Sequence, residues 1–155
     1  MDTHDSHTEI HPATRADVPR IVPLVAEYWR FEAIEGFNAA DITNLLTRVT
    51  EDIRLGRVWI ATYDGVDVGY LLAVFVFSLE YQGITAEIDE FYLLPKYRGY
   101  GVGARMLTAA EEEFRTAGCT NVSLQIGRAN EAARHFYRGH GFQDRAGYEL
   151  VSKML

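Results

Sequence analysis

The chain has 155 residues, 48% apolar and 24% charged, the length and composition of one globular domain with a single core, which excludes a disordered or fibrous protein. Lys and Arg number 15 against 22 Asp and Glu, a net charge of −7, and an acidic chain without a basic cluster repels nucleic acid and anionic membranes. No apolar run approaches the ~20 residues of a membrane span, Met1–His7 lacks signal-peptide character, and Cys119 stands alone, so a cytoplasmic protein without disulfides is expected.

Residues 1–7 read as a disordered tail and residues 8–155 as a single domain. Thr8 to Ala13 reads as a strand. Thr14-Arg15-Ala16-Asp17 has capping-box form, and Ile21, Leu24, Val25, Tyr28 and Trp29 follow at helical spacing. Pro19 suits the first turn, whereas Pro23 predicts an irregular or kinked start. Gly36-Phe37-Asn38 breaks this helix, and Asn38 caps a second one running to about Leu55 and stopped by Gly56.

Arg57–Tyr63 and Val66–Leu79 are strands joined by Asp64-Gly65, a type I′ hairpin signal. The apolar run Tyr70–Phe77 predicts that the second of these is buried. Glu80–Gly83 is a loop, and Thr85–Leu94 a further strand closed by Pro95. A helix over Val102–Ala117 carries Met106, Ala110 and Phe114 on one face and stops at Gly118. Asn121–Ile126 then reads as a strand, Glu131–His140 as a helix and Tyr148–Met154 as a final strand. Antiparallel hairpins followed by strand–helix alternation predict an α+β domain, a three-layer mixed sheet.

Between the strand ending at Leu94 and the helix starting at Val102 lies Pro95-Lys96-Tyr97-Arg98-Gly99-Tyr100-Gly101-Val102-Gly103-Ala104. Glycines let backbone approach an anion, and the free amides of a helix start favour negative charge, so a phosphate or pyrophosphate is the expected ligand. A nucleotide-hydrolysing P-loop is excluded, because no Gly-x-x-x-x-Gly-Lys-Ser/Thr exists. Gly99-x-Gly101-x-x-Ala104 fits a loose dinucleotide fingerprint. Pro95 to Arg98 intervene after the strand, however, and Ala117–Ala129 holds no acidic residue for a ribose.

Arg98-Gly99-Tyr100-Gly101-Val102-Gly103 resembles the Arg/Gln-x-x-Gly-x-Gly/Ala loop of the GNAT superfamily of N-acetyltransferases. Asn130-Glu131-Ala132-Ala133, with Tyr137 and Gly141-Phe142 beyond it, resembles that family's second hallmark. The resemblance implies a mostly antiparallel, twisted central sheet flanked by about four helices. It also implies direct transfer of an acetyl group from acetyl-CoA to a primary amine in a ternary complex. In that family the amides of Arg98, Gly99, Tyr100, Gly101, Val102, Gly103 and Ala104 would cradle the CoA pyrophosphate. Leu93 and Leu94 would lie beside the pantetheine arm, with the Leu93 N–H as oxyanion donor. Asn130 would contact the arm, and Tyr137 would sit beside the sulfur and protonate the thiolate.

For the base, the fourth strand offers three carboxylates, and the resemblance, which implies a base four residues before Leu93, ranks Asp89 first, then Glu90 and Glu87. Alternation puts Glu87 and Asp89 on one face and Glu90 on the other unless a bulge intervenes, and a water relay is an equal competitor. The resemblance places acceptor contacts on the first two helices and late loops, where Glu27, Tyr28, Trp29, Phe31, Glu32 and Glu35 form an acidic-aromatic cluster; Glu80 adds a carboxylate from the hairpin loop. Cys119 reads as a small buried hydrophobe. His4, His7 and His11 have metal-like spacing but straddle the tail and a strand, and His135 and His140 lack a partner pattern, so no metal is expected. A non-catalytic acyl-CoA sensor is the alternative function. A homodimer through the C-terminal strand or a sheet edge is compatible with the sequence.

Overall fold

The strand signals assemble in the order in which they occur. In the computed structural model, which describes residues 7–155, β1 (Thr8–Pro12), β2 (Gly56–Tyr63), β3 (Val66–Ser78), β4 (Gly83–Leu93) and β5 (Val122–Leu124) form one sheet in sequential order. The first four pair antiparallel, and β5 pairs parallel to β4. Asp64 and Gly65 take φ of 50° and 76°, the turn that their sequence requires.

The helices are α1 (Val18–Phe31), α2 (Ala39–Glu51), α3 (Val102–Thr116) and α4 (Glu131–Gly139). The capping box closes one turn earlier than α1: the Asp17 carboxylate accepts from the Thr14 N–H at 2.8 Å, around a 3-10 turn over Arg15–Asp17. That turn is the irregular start expected of the segment, while Pro23 itself lies inside α1. Asn38 caps α2 by accepting from the Asp41 N–H at 3.0 Å. The chain up to Leu124 is one compact unit, and Gln125–Leu155 is a second.

Alternation along the strands divides the first unit into three layers. Val58, Ile60, Tyr70 and Tyr92 face α1 and α2 and pack with Ile21, Leu24, Val25, Ile42 and Leu46. Trp59 and Phe75 face the other way and meet Phe114 of α3 edge-on, at ring separations of 5.6 and 6.4 Å. The Tyr70–Phe77 run is buried only in part. β2 begins at Gly56, opposite Val74, so Val76 and Phe77 extend past it and are exposed.

Tyr148–Met154 forms no strand, contrary to expectation, and Tyr148, Leu150, Val151 and Met154 are exposed. An apolar alternation becomes a strand only where a neighbour supplies the ladder, and among the described residues none pairs with this segment. No helix among the described residues is long and apolar enough to cross a membrane.

One ion pair ties the sheet to α3. The Arg57 Nε stands 3.5 Å from Glu113 Oε2, a buried oxygen with no hydrogen bond. Arg57 also donates to the Ile53 and Gly56 carbonyls and covers the Phe75 ring. Arg57→Met removes the one cation paired with that oxygen among the described residues, and we expect a loss of roughly 3 kcal/mol. Urea unfolding should show a lower midpoint at unchanged slope. Glu113→Gln should cost less, because Arg57 keeps its two carbonyls.

Candidate active site

The site is organised by two departures of β4 from a regular strand. Its pairing with β5 covers only Ala86, Ile88 and the Glu87 between them, so among the described residues no strand pairs with Asp89–Leu93 on that edge. The Leu94 N–H donates to Val68 O at 2.8 Å, toward β3. Alternation therefore turns the Leu93 N–H and C=O to the open edge. The Leu93 carbonyl accepts from Arg98 Nε at 2.9 Å.

The second departure is a bulge. Ile88 pairs with Ala73 and Glu90 with Leu72, leaving Asp89 without a partner on β3. The extra residue resets the alternation. Glu87, opposite Val74, and Glu90, opposite Leu72, now share the α1/α2 face, which corrects the simple alternation that separated them.

The bulge meets the C-terminal half of α1. Trp29 Nε1 donates to Glu90 Oε2 at 2.9 Å and the buried Tyr70 hydroxyl donates to Oε1 at 2.7 Å. Tyr28 packs edge-on to Tyr70 and tilted against Tyr92, and Phe31 tilts on Tyr92. The Arg98 guanidinium lies over both Phe31 and Tyr92, at 5.2 and 5.4 Å. One cluster thus joins α1, β3, β4 and the glycine loop.

Burial raises the Glu90 pKa, an effect opposed by its two donors and reinforced by the charge of Asp89. Asp89 is raised by burial alone. Its side chain opens to solvent, yet enough protein surrounds it to weaken its hydration, as expected of a carboxyl in a recess. The Tyr28 phenol is pushed up to about 12, first by burial and then by the charges of Glu32, Glu90 and Asp89. Tyr28, Trp29 and Glu32 therefore come together at the bulge. Glu80 does not: it lies in the β3–β4 turn, ten residues along the hairpin from Glu90 and on the order of 30 Å away at the strand rise.

Beyond Leu94, a 3-10 turn over Pro95–Tyr97 leads to Arg98. Gly99 and Gly101 have φ of 85° and 81°, and the space where a Cβ would stand is open at both. Gly101 caps α3, and Arg105 is the first donor within it, at 3.1 Å to Gly101 O. The amides of Val102, Gly103 and Ala104 are left pointing out of the helix start, a ready site for an anion. Tyr100 and Tyr97 brace the loop against Tyr63 of β2, at 6.1 and 5.6 Å. Their role was invisible in the sequence, because Tyr63 is remote along the chain.

In the second unit, Asn130 caps α4 by accepting from the Ala133 N–H at 3.1 Å. Tyr137, seven residues on and so on the same side of the helix, is the buried residue of α4, flanked by Phe136 and Phe142 at 5.2 and 5.4 Å.

Residues 21–142 match the acetyltransferase (GNAT) family. The chain belongs to that family. It is 30% identical over 131 residues to an uncharacterized N-acetyltransferase of Archaeoglobus fulgidus, covering 83% of this chain and 88% of the relative. It is 28% identical over 136 residues to the aminoalkylphosphonate N-acetyltransferase of Salmonella typhimurium, covering 87% and 84%. A solved aminoglycoside N-acetyltransferase in complex with CoA superposes over all of both chains with a TM-score of 0.84 at 16% identity, a likeness of fold. The fold is thus the GNAT fold that the two motifs implied, and the chain is an acyl-CoA-dependent N-acetyltransferase.

The residues of this GNAT domain fit a bound acyl-CoA on their own terms. Open space at Gly99 and Gly101, three outward amides and an unpaired strand edge are what a pyrophosphate and an amide-bearing arm need. Among the described residues no group of three or more His, Cys, Asp or Glu could hold a metal. His4 lies outside the described residues, as do residues 1–6 of the expected tail; His7 pairs with Asp64, and His11 stands 3.6 Å from Asp17. Cys119 is half-buried, and burial raises its thiol pKa.

Proposed function

We propose that this GNAT enzyme acetylates a small-molecule primary amine by direct attack on acetyl-CoA in a ternary complex. The observation that carries this reading is the bulge of β4, which brings a carboxyl of raised pKa to the start of an unpaired strand edge. The amine arrives protonated, with an ordinary pKa of ~10.4, and must lose a proton before it can attack. Asp89 is the base. Glu90 has both oxygens engaged, whereas Asp89 carries no hydrogen bond among the described residues of its unit.

The amine nitrogen then bonds to the thioester carbon, and the Leu93 N–H receives the charge that develops on oxygen. The carbonyl re-forms as the carbon–sulfur bond breaks and the Tyr137 phenol gives its proton to the departing sulfur; the acylated nitrogen sheds its remaining extra proton to solvent, from which the phenolate is re-protonated. The loop from Arg98 to Ala104 and Asn130 hold the cofactor, so that much of the barrier is met by positioning. Residues 8–155 act together as one GNAT domain. Tyr28, Trp29 and Glu32 form the acceptor wall, and carboxylates beside aromatic faces suit a cationic amine. A relative that takes an aminoalkylphosphonate supports a small amine as acceptor.

Tyr137→Phe tests the reading against that of a non-catalytic sensor. The expected result is a kcat lower by about 10²-fold with unchanged acetyl-CoA affinity, measured by steady-state kinetics and calorimetry. An unchanged kcat would remove Tyr137 from the mechanism.

A further inference from the structure

We infer that Glu90 is a positioning residue for acetyl transfer: bridged by Trp29 of α1 and Tyr70 of β3, it fixes the bulge that presents Asp89. This inference rests on the reading of Asp89 as the base.

The geometry separates two adjacent carboxylates that the sequence could not rank. Each oxygen of Glu90 takes a donor from a different element, at 2.9 and 2.7 Å. To accept a proton from an amine it would have to give up one of these donors, which favour its charged form. Asp89 is one residue away, displaced by the bulge and carrying no such bonds in its unit. Asp89, raised by burial, is thus the carboxyl free to take a proton, and the bridge on Glu90 holds the bulge that places it there.

The titratable groups facing the pair are Tyr28 of α1, itself beside Glu32, and Tyr70 of β3. Arg98, Glu27 and Arg30 gather one step along the strand, around Tyr92. Among the described residues these cations act on Tyr92, and none acts on the Asp89–Glu90 pair. The same bridge has a second consequence. Trp29 is adjacent to Tyr28 and one turn from Glu32, so its bond to Glu90 also fixes the wall expected to receive the acceptor. Trp29 is itself held against Phe37, at 6.0 Å.

Two variants separate charge from geometry. In Glu90→Gln the amide oxygen accepts from Trp29 and the amide nitrogen donates to a rotated Tyr70 hydroxyl, so the bridge survives and the charge is lost. The expected result is a kcat reduced by less than about 10-fold, with the acid limb of the kcat/KM profile kept at the wild-type pH. Trp29→Phe keeps the charge and cuts the bridge. It should lower kcat by about 10-fold or more while its acid limb stays at the wild-type pH. Acetyl-CoA affinity, read by calorimetry, should be unchanged in both and reports that each variant is folded.

A Trp29→Phe kcat at the wild-type value, with Asp89→Asn still losing its limb, would overturn this inference and leave the base assignment standing. An Asp89→Asn enzyme that keeps a wild-type limb would overturn the base assignment itself. Loss of both the limb and the activity in Glu90→Gln would make Glu90 the base, against both.

Discussion

Asp89→Asn should lower kcat/KM at neutral pH by about 10²- to 10³-fold, the size of a lost general base. Burial holds the Asp89 pKa above the ordinary carboxylate value. The ionised carboxylate is the accepting form, so wild-type activity rises as pH climbs through that pKa. In the variant only ionisation of the substrate amine remains, near pH ~10. The defect should therefore shrink steadily with rising pH and nearly vanish at the amine's pKa. The same shift acts on stability. A raised carboxylate pKa means that the folded state binds the proton more tightly, so stability falls as pH rises from the unfolded toward the folded pKa and stays lowered above it. Asp89→Asn should melt above the wild type at neutral pH, with the gap closing below pH ~3.9. A variant that is less active and more stable identifies a residue retained for chemistry.

The second large effect is expected at Gly101. Its φ of 81° is matched by the 82° of Gly118, which follows the other end of α3, and neither has atoms near the position of a Cβ. Alanine at either site meets the same backbone strain, about 1 kcal/mol. Gly118→Ala should lose that stability and nothing more. Gly101→Ala should lose as much stability and also weaken acetyl-CoA binding by roughly 30-fold, because the Cβ enters the anion's space and the Val102, Gly103 and Ala104 amides turn away. Calorimetric titration of both variants separates the two losses. Equal affinity in Gly101→Ala and the wild type would remove the loop from the cofactor site.

What could be read in the sequence was whatever local chemistry decides. Asp64-Gly65 fixes its turn, Asn38 its cap, and Gly99 and Gly101 their loop, each through the conformations its own side chain permits. The two motifs were enough for the family because both are local. The bulge at Asp89 was not legible, since an extra residue in β4 is defined only by its pairing with Leu72 and Ala73. The face shared by Glu87 and Glu90 follows from it. Tyr70 carried a weak signal, as a phenol inside an apolar run needs a polar partner, but the partner lies 20 residues away, and Trp29 reaches the same carboxylate across 61. Glu80 was grouped with the cluster by its charge, and the length of the β3–β4 hairpin removes it. Tyr148–Met154 shows the converse error, where strand-like alternation has no ladder to join.

The central claim, acetyl transfer to a small amine, is tested most directly by CoA thiol release. The purified protein with acetyl-CoA would be assayed against polyamines, aminoglycosides, aminoalkylphosphonates, amino acids and lysine-bearing peptides, with an enzyme-only control for Cys119. The account predicts amine-dependent release with at least one small-molecule class, together with a product heavier than the amine by one acetyl group. Tight acetyl-CoA binding without release from any class would contradict it.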